Sequence, residues 1–121
     1  MRNRETVRTP IPIADPDVGR AELESIEAVF RSGRLSGGGE VEAFGEEFAD
    51  YCGVSHGIPT SNGTTALHAA LVGLGIGADD TVLTTPFSFV ATANAIRHVG
   101  AEPVFADIDP ETYNLDPSSV E

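Results

Sequence analysis

The chain has 121 residues, the size of one domain and long enough to enclose a core. Nineteen acidic residues face seven basic ones, all of them arginine, for a formal net charge of -12. A field of that sign repels nucleic acid and anionic membranes, which sets binding to either aside.

No segment reaches the roughly 18 apolar residues of a membrane span. Met1 to Pro10 is polar and lacks the apolar run of a secretory signal. Cys52 is alone, so it makes no internal disulfide or metal cluster, and a small buried residue in a reducing cytoplasm is the expectation. The acidic excess also suits a protein adapted to high salt, where carboxylates keep the surface hydrated. An acidic mesophilic surface is the alternative.

Residues 1–18 read as an extended arm, because Pro10, Pro12 and Pro16 block helix. Gly19 to Ser32 is helical in pattern, with Leu23, Ile26, Val29 and Phe30 on one stripe and Gly33 as a stop. After the run Ser36-Gly37-Gly38-Gly39, a second helix is expected from about Glu40 to Tyr51, with Val41, Phe44, Phe48 and Tyr51 on one face.

A different rhythm begins at Val54. Val54 to Pro59 is a strand candidate, Asn62-Gly63 turns the chain, and Thr64 to Leu74 is an alanine-rich helix with Leu67, Leu71 and Leu74 inward. Thr81 to Thr84 reads as a second strand, Phe89 to Val99 as a helix weakened by Thr92 and Asn94, and Pro103 to Ile108 as a third strand. The tail from Asp109 is turn-rich. Helix, helix, then β-α-β-α-β implies an α/β fold with a parallel sheet and helical crossovers.

The sharpest local signal is Ser61-Asn62-Gly63-Thr64-Thr65-Ala66-Leu67. A strand candidate ends, glycine permits a turn, two hydroxyls follow and an apolar helix starts. Such a helix N-terminus offers free amides and the positive end of the dipole, which suit a phosphate. The plainer alternative is that Ser61 or Thr64 caps the helix and Asn-Gly only turns.

Phe87-Ser88-Phe89 follows the second strand, where parallel sheets bind ligands. A phenylalanine there can stack on a flat ring or simply fill the core. Leu74-Gly75-Ile76-Gly77 follows a helix rather than a strand, so it reads as a stop and not a dinucleotide fingerprint. Asp107 and Asp109 are acid–base candidates whose plainer role is solvation or capping. His56, His68 and His98 have no metal-ligand spacing in the sequence and read as structural.

From about Pro10 onward, these residues resemble the DegT/DnrJ/StrS aminotransferases, which use pyridoxal 5'-phosphate (PLP) to aminate keto-sugars attached to nucleotides. The resemblance rests on Ser32-Gly33-Arg34-Leu35-Ser36-Gly37-Gly38, on residues 61–67 and on Leu74 to Asp80. It continues through Phe87 to Asn94, Gly100 to Phe105 and Asp107 to Asp116.

The resemblance implies that Gly63, Thr64 and Thr65 bind the cofactor phosphate and that Phe89 stacks on its ring. The implied fold is the large domain of the aspartate-aminotransferase type (PLP fold type I), with residues 19–121 its incomplete N-terminal portion. The implied substrate is a sugar nucleotide, the implied amino donor glutamate, and the implied assembly of the full enzyme a homodimer. The family's Schiff-base lysine and its pyridine-pairing acid lie downstream of the matched region, and this chain contains no lysine. The expectation is therefore a fragment that holds PLP noncovalently at most and is inactive alone. A phosphate-binding module without chemistry, or a non-functional remnant, is the rival reading.

Overall fold

A computed structural model describes residues 11–120. The first ten residues of the expected arm lie outside the described residues, and its remainder, 11–18, forms neither helix nor strand. The chain divides into two compact units, Met1–Glu42 and Ala43–Glu121.

In the first unit, α1 spans Arg20–Ser32. The Glu22 carboxylate accepts the Gly19 amide at 2.6 Å, which meets one of the donors a helix start leaves open. That bond holds the Glu22 carboxyl below its ordinary value. Gly33 ends the helix at φ 71°, a left-handed conformation that glycine adopts without strain, and its amide returns to the Phe30 carbonyl. The apolar stripe exists but is uncovered within this unit: Leu23, Ile26 and Phe30 are all exposed.

Helix α2, Gly39–Cys52, starts in the first unit and continues into the second. Its small residues Gly45 and Ala49 are buried, whereas Phe44, Phe48 and Tyr51 remain exposed. The expected strand at 54–59 is absent. Its one backbone bond among the described residues, Val54 amide to Ala49 carbonyl, closes the end of α2. A strand needs a ladder partner, and none of the described strands reaches this one. The stretch is held instead by close backbone approach. A β-carbon placed on Gly57 would stand 2.2 Å from the Gly45 carbonyl oxygen.

Helix α3 spans Gly63–Gly73. Leu71 is half-buried, but Leu67 and Leu74 are exposed; Leu74 has already left the helical register as its C-cap. Strand β1, Thr81–Thr84, pairs in parallel with β2, Glu102–Phe105, with Thr81 opposite Glu102 and Thr84 opposite Phe105. Crossover helix α4, Ala91–His98, joins them. It starts later than the sequence pattern suggests, because Pro86 to Val90 forms a loop, tied to the first turn of α4 by the Ser88 and Thr92 hydroxyls 3.0 Å apart.

β2 stops at Phe105. Ile108 pairs with Leu115 across an antiparallel bridge, and Asp109 to Asn114 is the turn between them. The buried apolar core is Ala49, Ala95, Ile96, Ala101 and Ala106. Cys52 is exposed rather than buried: it is the last residue of α2, beyond the helix's buried positions Gly45 and Ala49. Phe87 and Phe89 are likewise outside the core, at 62% and 78% exposure.

Candidate functional site

The N-terminus of α3 is built by Asn62. Its backbone is extended, and its side-chain oxygen accepts the Thr65 amide at 2.9 Å and the Thr65 hydroxyl at 3.1 Å. Thr60 and Ser61 buttress it: the Thr60 hydroxyl donates to the Asn62 carbonyl, and the Asn62 side-chain amide donates to the Ser61 hydroxyl. The cap is therefore Asn62, not Ser61 or Thr64. Asparagine is among the residues most favoured at the N-cap, and its position directly before Gly63 at the start of the apolar helix was the available signal. Replacing Asn62 with alanine should cost about 1 kcal/mol of stability, read as a lowered urea midpoint.

That cap occupies the Thr65 amide. The Gly63 and Thr64 amides have no acceptor among the described residues. A β-carbon built on Gly63 meets nothing within 4 Å, so the space above the turn is open. Asn62 and Gly63 also border a cleft of about 330 Å³, walled by Phe44, Phe48, Ile58 and Pro59. Two open amides, the Thr64 hydroxyl and the positive end of the helix form a set of donors with no acceptor among the described residues, which is the chemistry a phosphate group requires.

Phe89 lies after β1, in the loop that leads to α4, with its ring largely exposed. Gly63, Thr64 and Thr65 share one helical turn; no hydrogen bond or aromatic pairing links Phe89 to that turn among the described residues. Phe87 is already engaged, stacked on Tyr113 with ring centroids 5.7 Å apart.

The other acidic candidates hold the tail turn. Asp109 accepts the Glu111 and Thr112 amides, each at 2.8 Å, and Asp107 accepts the Ile108 amide at 2.8 Å. The Thr112 amide, then that of Glu111, keeps the Asp109 carboxyl below its ordinary value. These are local caps, as the plainer sequence reading has them. No group of three or more metal-ligating side chains forms among the described residues, and no helix there is long and apolar enough to cross a membrane.

Residues 16–121 match the profile of the DegT/DnrJ/EryC1/StrS aminotransferase family. The chain belongs to that family. GDP-perosamine synthase of Caulobacter vibrioides is 51% identical to this family member over 78 residues, 64% of this chain and 21% of the relative. L-glutamine:scyllo-inosose aminotransferase of Streptomyces griseus is 41% identical across the whole of this chain and 29% of its own length. The solved aminotransferase of Psychrobacter cryohalolentis superposes with a TM-score of 0.81 at 36% identity, over 90% of this chain and 28% of that one. This DegT/DnrJ/EryC1/StrS chain thus spans under a third of the length of the relatives it matches. Its α/β architecture is part of PLP fold type I, and PLP is the cofactor that family membership implies.

Proposed function

We propose that this chain forms the phosphate-holding part of the PLP site in a sugar aminotransferase. The observation that carries the reading is the pair of uncommitted amides at Gly63 and Thr64, at a helix start in a chain of this family. Gly63 and Thr64 hold the phosphate through their amides, and Thr64 adds its hydroxyl. Thr65 joins them by releasing Asn62, since a phosphate dianion is a stronger acceptor than a side-chain amide oxygen. Phe89 offers its exposed ring to the pyridine face.

PLP, when bound, supplies an electron sink for the substrate's amino nitrogen and neighbouring carbon. The residues of this chain bind and orient it. None of the seven basic side chains acts as its amine anchor, because all are arginines that stay protonated. The parent enzyme would aminate a nucleotide-linked keto-sugar and work as a homodimer. Glutamate is the proposed donor; glutamine, named in the Streptomyces griseus relative, is the competitor. Alone, the chain binds PLP noncovalently and transfers no amino group.

Titrating the chain with PLP and with pyridoxal, which lacks the phosphate, tests this. PLP should bind several-fold more tightly, inorganic phosphate should displace it, and Thr64→Ala should weaken it about three- to tenfold, the loss of one hydrogen bond. Equal affinity for both aldehydes would sink the reading. Tight nucleotide binding with indifference to PLP would favour a phosphate-binding module of other purpose.

A further inference from the structure

His68 and His98 have no part in the PLP reading, yet the fold brings them together. His68 lies within α3 and His98 is the last residue of α4, and the two helices pack on each other. Their ring centroids are 5.8 Å apart, with the planes at 63°. Neither imidazole makes a side-chain hydrogen bond among the described residues. His98 is exposed and His68 half-buried, so the pair opens to solvent.

The spacing fits a shared ion. A metal–imidazole bond is about 2.0–2.1 Å, which puts each ring centroid about 3 Å from the metal and two such centroids at most about 6 Å apart. Unpaired ring nitrogens supply the lone pairs, and a chain of net charge -12 draws dications towards its surface.

We propose that His68 and His98 form a two-imidazole chelating site for a first-row transition-metal dication, with water completing the shell. No third His, Cys, Asp or Glu joins them among the described residues, so the site is a clip between α3 and α4 and not a closed structural centre. By ligand type and the usual order of divalent affinities, Cu²⁺ binds most tightly, with Ni²⁺ and Zn²⁺ behind it. The bound ion stabilises the packed helices by mass action.

Paramagnetic Ni²⁺, titrated into the whole chain at neutral pH and followed by NMR, tests the site without any substitution. The His68 and His98 ring signals should broaden together, well before those of His56. His68→Gln and His98→Gln should each weaken Ni²⁺ binding at least tenfold and abolish the Ni²⁺-dependent rise in melting temperature. Cys52→Ser and His56→Gln should keep both. Broadening at His56 at the same metal concentration, or undiminished binding in the two chelate variants, would overturn the proposal.

Discussion

Borohydride reduction of the chain after incubation with PLP should leave no cofactor on any side chain. Reduction traps only an imine, and an imine needs a primary amine. The sequence has no lysine, and its seven cationic side chains are guanidinium groups. The N-terminal amine is the sole remaining primary amine, so peptide mapping after digestion must set the first peptide apart. The expected effect is all-or-none: a noncovalent complex that washes away, with no ketoacid formed from glutamate. A reduced pyridoxyl group on an internal peptide would show a nucleophile that the chemistry of these side chains does not provide.

Gly57→Ala should be among the most damaging single-methyl changes in the second unit. The added carbon would stand 2.2 Å from the Gly45 carbonyl oxygen and 3.1 Å from its carbonyl carbon. Both are backbone atoms of Gly45, inside α2, so no side chain can rotate aside. Relief requires the 54–59 stretch to lift from the helix. Overpacking of this kind costs about 1–3 kcal/mol, and a backbone clash belongs at the upper end. Gly77→Ala is the matched control, since a β-carbon there meets nothing within 4 Å. Urea unfolding should show a clear drop in midpoint for Gly57→Ala and little change for the control. Coincident curves would mean that the two glycines do not hold the stretch against α2.

The helices were legible because their cause is local. Apolar spacing and stop glycines place α1 and α2 within a residue or so of their observed limits, and β1 matches Thr81 to Thr84. The parallel pairing followed from a helix lying between two apolar runs. Val54 to Pro59, with Val54 and Ile58 as its apolar residues, was a strand candidate too and failed, since a strand depends on a neighbour that its own residues do not specify. Leu67, Leu74 and Cys52 were misjudged for a related reason: apolar character states a preference for burial, and the partner surface decides it. At the candidate site, Gly63 and Thr64 stood out through their turn chemistry, while the identity of the cap at Asn62 required the actual hydrogen bonds. The His68–His98 pair lay beyond spacing arguments altogether, because the two residues sit on separate helices that only the tertiary fold joins.

Four of the five buried apolar residues are alanines: Ala49 on α2, Ala95 on α4, and Ala101 and Ala106 on either side of β2, so the close packing of the second unit rests largely on methyl groups. Such a contact has a ceiling on side-chain size and almost no floor. A side chain larger than alanine at these positions should overpack the interior, at a cost of about 1–3 kcal/mol. The interior of the second unit is a narrow gauge rather than a reservoir of bulk.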